Sequence, residues 1–351
     1  MAAFWSDAVQ MTTSGLIVAA AAVPVGLAAR AVRPRGEPLL PQWKPWRVPW
    51  NGFEVAVAFL MVSYVLPLVV LQLLSDAGFY QRVYGQHFPT PRTEGAEPER
   101  LKEAATLRML WANVLALPLQ LGSLWAAVRA LYPAWRPAIV GRGSSAGKVW
   151  LAVLAWLALA PAVLAFNAVV NVAAEHFDVT PEQHSLTALG GRPLMDRVLF
   201  LLEACVGAPL REELIFRGLL LAWCARRIKF PGEGLMPLTA ARPWLVMSAA
   251  LPLAFLLGGG RTGPVAFAAV LALGLGVLWR LKRTGARRAR AVYATAALFA
   301  VVHSGVWPSP VPLFALGLGL GWLAVRTNGV LVPTIVHGLF NAVSAVFVLR
   351  G

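Results

Sequence analysis

Three short stretches of this chain place side chains that can move protons or bind ions inside otherwise apolar sequence. The first, A-P-L-R-E-E-L-I-F-R-G, supplies Arg211, Glu212, Glu213 and Arg217. The second, F-A-V-V-H, runs from Phe299 to His303, and the third, H-G-L-F-N, from His337 to Asn341. A carboxylate beside a histidine can hold a water and take its proton, which general-base hydrolysis requires. A histidine beside a carboxamide can donate hydrogen bonds to an oxyanion as it forms. The same groups are ordinary zinc ligands, and a bound metal would draw on Glu212, His303 and His337. At this level, hydrolysis by an activated water and metal binding both stay open.

On a helix, Glu213 and Arg217 stand at i and i+4 in the favourable order for an ion pair. Glu212 lies about 100° round from Glu213, so the two carboxylates meet different neighbours. His337 and Asn341 are also i and i+4 and share a face. Counted from the expected cytoplasmic helix ends, Glu212, His303 and His337 lie about 18, 18 and 10–12 Å deep at about 1.5 Å per residue. An ionisable group at mid-membrane costs roughly 2.5–3.5 kcal/mol or more. One Glu–Arg pair is often structural, and a lone membrane histidine usually bonds one helix to another. Three such stretches at similar depth point to a site. Glu203 reads as structural, and His87, His176 and His184 as solvated loop residues.

The elements that must position these groups are membrane helices. Of 351 residues, 58% are hydrophobic and 13% are charged, against about 25% charged in an ordinary soluble chain. That balance excludes a water-soluble enzyme and a disordered chain. Apolar runs at about 12–29, 52–74, 109–131, 149–172, 198–224, 244–257, 264–279, 291–304, 311–325 and 330–349 predict an all-α, polytopic bundle of about ten spans. The runs at 244–257 and 291–304 are short for a crossing. With the N-terminus outside, 20 of the 31 Lys and Arg fall on the cytoplasmic side. The net charge of +15 is then a cytoplasmic face set against anionic lipid headgroups, and no nucleic-acid partner is expected. Tryptophans 43, 46, 50, 135, 150, 223 and 279 fall near span ends, as an aromatic belt would. Gly317, Gly319 and Gly321 predict close helix packing. Cys205 and Cys224 are 19 residues apart in one helix, roughly 28 Å, too far for a disulfide.

Glu212-Glu213-x-x-x-Arg217, Phe299-x-x-x-His303 and His337-x-x-x-Asn341, in this order and each within an apolar run, resemble the signature of the CPBP family. That family comprises CAAX prenyl endopeptidases and bacteriocin-processing or immunity proteins. The resemblance covers about 197–351, leaving 1–196 as an N-terminal transmembrane region of about four helices. It implies an intramembrane endopeptidase with Glu212 as general base acting with His303. His337 and Asn341 would stabilise the oxyanion, and Glu213, Arg217 and Phe299 would support the site. The family's common description as metalloproteases implies zinc as the candidate metal. Its members imply a hydrophobic or lipid-modified, CAAX-type peptide as substrate. Eighty-one residues separate Arg217 from Phe299, where the family has a shorter connection, so an inserted helical hairpin is expected at 243–282. Composition and loop charge suit a multi-pass protein of a bacterial inner membrane, in contact with membrane lipids. Two other readings use the same polar centre: a non-catalytic membrane binding, immunity or scaffold protein, and a proton relay or transporter. Against the transporter, the chain shows no pair of broken helices in two repeated halves.

Overall fold

A computed structural model describes residues 48–89, 97–133, 145–176, 192–225, 248–258, 263–285 and 287–350. The apolar run at 12–29, Trp43, Trp46, Trp135 and His184 lie outside the described residues. Among the described residues there are helices and turns and no strand. In chain order the helices are α1 (Gly52–Asp76), α2 (Phe79–Tyr84), α3 (Pro98–Leu131), α4 (Ser145–His176) and α5 (194–225). They continue with α6 (Ala250–Gly258), α7 (Gly263–Arg283), α8 (Arg287–Val301), α9 (Pro310–Thr327) and α10 (Leu331–Arg350).

Among the described residues, five helices are long and apolar enough to cross a membrane: Gly52–Asp76, Pro98–Leu131, Ala146–Glu175, Gly263–Arg283 and Pro310–Thr327. α3 begins at Pro98 rather than near 109, because the E-R-L-K-E run continues the helix without a break. α5 carries too many ionisable residues to count as a simple apolar span. Of the expected hairpin, α7 has 21 residues and is long enough to cross. α6 has nine, about 13 Å of helix, and covers less than half of a bilayer core of roughly 30 Å. α8 ends at Val301, which leaves His303 in the turn beyond it instead of within a span.

The chain divides into two compact units, each built from three stretches. The first gathers Met1–Gly52, Ala138–Glu182 and Phe216–Val336; the second gathers Phe53–Pro137, Gln183–Ile215 and His337–Gly351. In the first unit, α8 and α9 run antiparallel at close range because glycines face the partner. A Cβ on Gly317 would lie 3.1 Å from the Ala296 methyl, and one on Gly321 3.0 Å from Val292. Gly319 instead faces Leu159 of α4. The glycine stripe is packing, as its spacing predicts. Leu251, Ala297 and Ala300 bury α6 against α8, with Phe255 edge-on to Trp307 at 5.2 Å.

The second unit has its core where α2, α3 and the start of α5 meet, around Tyr80, Leu107, Leu110, Leu199 and Phe200. Polar groups fasten its rim. The Tyr84 hydroxyl donates to Asp196 at 2.7 Å and accepts from Trp111 Nε1 at 2.9 Å. Arg192 then joins Asp196 (3.3 Å) to Glu103 (3.1 Å). Both cysteines are free thiols, Cys205 against this core and Cys224 in a small cluster of the first unit.

α1 and α5 are not regular throughout. α1 opens into a wide π turn over Met61–Val65, and α5 into π turns over Glu203–Gly207 and Leu214–Leu221. In a π turn the backbone bonds i to i+5, and one carbonyl per turn is left without its usual donor. At Met61–Val65, the Leu66 N–H goes to Met61 O, and Pro67, five residues after Val62, has no N–H to give. The Val62 carbonyl is taken instead by the buried Gln120 amide at 2.7 Å. The same device recurs at the site.

Candidate active site

The seven residues singled out from sequence fall into two groups, one in each unit. Glu212, Glu213, His337 and Asn341 belong to the second unit; Arg217, Phe299 and His303 belong to the first.

In the second unit, α10 packs against the π turn of α5. A Cβ on Gly338 would sit 2.5 Å from the Cys205 carbonyl oxygen, so only glycine permits this approach. His337, next to it, is 3% exposed. Its Nδ1 lies 3.0 Å from Glu213 Oε1, and a carboxylate only accepts, so Nδ1 carries the hydrogen. Glu213 is fully buried, and its bond fixes the ring's tautomer and orientation. The other nitrogen, Nε2, lies 3.9 Å from Glu212 Oε2, beyond a direct hydrogen bond. That oxygen is itself buried, so the exposed part of Glu212 lies elsewhere on its side chain. Glu212 is 25% exposed where Glu213 is 0%, so one carboxylate of the pair can be reached and the other cannot.

Asn341 is anchored by the helix irregularity. Ala208 N–H bonds Glu203 O, and the residue five after Ala204 is Pro209, which has no N–H. The Ala204 carbonyl therefore stays open, and Asn341 Nδ2 donates to it at 2.8 Å. One N–H of the carboxamide remains for another acceptor. Beside this turn Arg211 Nη1 reaches Glu203 at 3.2 Å, a largely buried pair that Gly207 makes room for. Glu203 is thus structural, as expected.

In the first unit, the Arg217 guanidinium is 1% exposed and lies over the Phe299 ring, 4.4 Å from its centroid. Its Nη2 donates to the Gly317 carbonyl at 3.4 Å, and Phe216 meets Phe299 edge-on at 5.3 Å. A desolvated cation over an aromatic face is favourable by about 2 kcal/mol. The phenylalanine of the second motif is thus the platform for the arginine of the first. His303 repeats the open-carbonyl device. Its backbone N–H bonds Ala300 O, which frees Phe299 O, and its own Nδ1 takes that carbonyl at 2.7 Å. Nδ1 therefore holds the hydrogen, and Nε2 of the neutral ring presents a lone pair.

The π turn Leu214–Leu221 begins between Glu213 and Arg217. Glu213 bonds His337, and Arg217 bonds Gly317 and Phe299, so both tie α5 to other helices. Sequence reasoning overlooked Gly338, Pro209 and the carbonyls of Ala204 and Phe299. Among the described residues, no three His, Cys, Asp or Glu side chains converge as a metal-ligand set. The expected trio Glu212, His303 and His337 draws on both units, and no step below passes through a metal.

The chain matches the family model described as Rce1-like, type II CAAX prenyl endopeptidase, over residues 194–287 and 276–343. These two stretches contain all three motifs and overlap at the turn between α7 and α8. No curated protein and no solved structure matches the chain.

Proposed function

Because residues 194–343 match the Rce1-like type II CAAX prenyl endopeptidase model, we propose that this membrane protein is an intramembrane endopeptidase that hydrolyses a peptide bond with a glutamate-activated water. The observation that carries the reading is the pairing of a reachable carboxylate, Glu212, with His337 Nε2 at 3.9 Å, while the sealed Glu213 holds the far side of the same ring. Glu212 takes a proton from water as the water oxygen attacks the scissile carbonyl carbon. The resemblance implies that His303 acts with Glu212 in activating this water. The negative oxygen of the tetrahedral intermediate is met by the spare Asn341 N–H and by His337, whose Nε2 donates when the ring is an imidazolium held by Glu213. As the C–N bond breaks, the proton on Glu212 passes to the leaving amine. The products are a carboxylic acid, which keeps the water's second proton, and an amine; transfer of that proton to the amine gives a carboxylate and an ammonium, so atoms and charge balance.

The substrate is a hydrophobic or lipid-modified peptide of CAAX type, reached from the cytoplasmic half of the bilayer. The remaining topology follows the loop charges: about ten spans, the N-terminus outside, in a bacterial inner membrane. Residues 1–196 form the N-terminal region and 197–351 the catalytic core.

The test is cleavage of a fluorogenic prenylated peptide panel by purified protein in detergent, with Glu212→Ala and His303→Ala alongside, each with and without a strong chelator. We expect cleavage that both substitutions abolish and that chelation leaves intact, with each variant still inserted and folded. Full activity in Glu212→Ala overturns the mechanism. Loss on chelation, restored by zinc, replaces it with a metal site. Binding of the peptides by wild type without any product favours the scaffold reading.

A further inference from the structure

We propose that the end of the first unit where α7 turns into α8 and α9 finishes is a binding site for anionic phospholipid headgroups. Gly317 faces Ala296 and Gly321 faces Val292, which sets an antiparallel register that brings residue 326 level with 287 and 288. The turn at Thr284 and Gly285, with Gly285 at φ +67°, joins α7 to α8 at that same end. One level of the unit therefore receives Arg280, Lys282 and Arg283 from the last turn of α7. It receives Arg288 and Arg290 from the start of α8, and Arg326 from the end of α9. The chain contains no Asp or Glu from 234 to 351, so the charge contributed by this stretch is of one sign.

Two tryptophans identify the partner. Trp279 is 58% exposed with Arg283 at 4.8 Å over its ring, and Trp322 is 38% exposed with Arg326 at 6.0 Å. Leu275 of α7 stands exposed one turn before Trp279 on the same face. An apolar face rising through a tryptophan into a cationic band follows the profile of acyl chain, interface and phosphate. A soluble polyanion would meet the cations but has no use for the apolar face. The headgroup phosphate would accept from Arg280, Lys282 and Arg283 while the chains lie along α7. The inference stands apart from the proteolytic reading, because neither Glu212 nor the histidines enter it.

The protein is purified in nonionic detergent, and phosphatidylglycerol or phosphatidylcholine with identical acyl chains is added. Retained lipid is counted by native mass spectrometry, and melting is followed in parallel. Each cation near the surface favours an anionic lipid by on the order of five-fold. Wild type should therefore prefer phosphatidylglycerol, and Arg280→Gln/Lys282→Gln/Arg283→Gln should lose that preference by up to about 100-fold. Arg283→Gln alone, expected to lose roughly five-fold, serves if the triple variant does not fold. Arg82→Gln/Arg100→Gln in the second unit should change nothing. Retention of the preference in the α7 variants, an equal loss in the control, or displacement of the lipid by inorganic phosphate would each overturn the proposal.

Discussion

Gly338→Ala tests whether contact between α10 and the π turn of α5 holds the proposed catalytic groups of the second unit in place. An added Cβ would lie 2.5 Å from the Cys205 carbonyl oxygen and 3.6 Å from its carbon. Carbon and oxygen approach no closer than roughly 3.3 Å even in favourable contacts. The obstacle is backbone, so no rotamer relieves it, and α10 must withdraw by about 0.8 Å. The neighbours on that helix then lose register with α5. His337 draws away from Glu213, now at 3.0 Å, and Asn341 from the Ala204 carbonyl, now at 2.8 Å. Overpacking of this kind costs about 1–3 kcal/mol. A misplacement near 1 Å in a catalytic constellation costs on the order of 100-fold in rate. Steady-state cleavage of a fluorogenic prenylated peptide, read beside thermal unfolding in detergent, measures both. Gly122→Ala in α3 is the matched control, because a Cβ there has nothing within 4 Å. It should be neutral or stabilising by about 0.4–1 kcal/mol. A Gly338→Ala protein with wild-type kcat and melting temperature would refute the claim that this contact sets the site.

Pro209→Ala restores an N–H that competes with Asn341 for the Ala204 carbonyl, so kcat should fall about ten-fold with KM nearly unchanged. Pro67→Ala makes the same change beside Gln120 and should leave kcat alone; equal kinetics in both variants would remove the open-carbonyl account. Arg217→Lys keeps the charge but loses the planar group lying 4.4 Å from the Phe299 centroid, and should destabilise by about 2 kcal/mol in thermal unfolding. Combined with Phe299→Leu its effect should be less than additive, since the two side chains form one contact.

What could be read from the sequence depended on period and charge. Apolar runs located the helices, and ionisable residues that did not belong in them located the site. Glu212, Glu213 and His337 do meet, and Gly317 and Gly321 do bring α9 against α8. The reading weakened wherever it assumed a regular 3.6-residue helix. His303 looked like a mid-span residue, yet α8 ends two residues before it. The apolar run 244–257 looked like one arm of a hairpin of two spans, yet its helix in the described residues has nine residues.

These departures share a cause. A regular helix consumes every interior carbonyl, so it offers a buried side chain no backbone acceptor. A site inside a membrane needs such acceptors, because an amide or imidazole there has little water to bond and must be held by protein. The chain creates them by widening or ending the helix: Ala204 O holds Asn341, Phe299 O holds His303, and Val62 O holds Gln120. At two of the three, a proline stands five residues beyond the freed carbonyl, Pro209 after Ala204 and Pro67 after Val62. The signal was therefore present as V-S-Y-V-L-P and A-C-V-G-A-P, where each proline would ordinarily be read only as a helix kink. Proline removes one donor and so leaves one acceptor for a side chain on another helix. Read that way, an apolar helix with an internal proline and a polar amide elsewhere in the same unit becomes a testable pair.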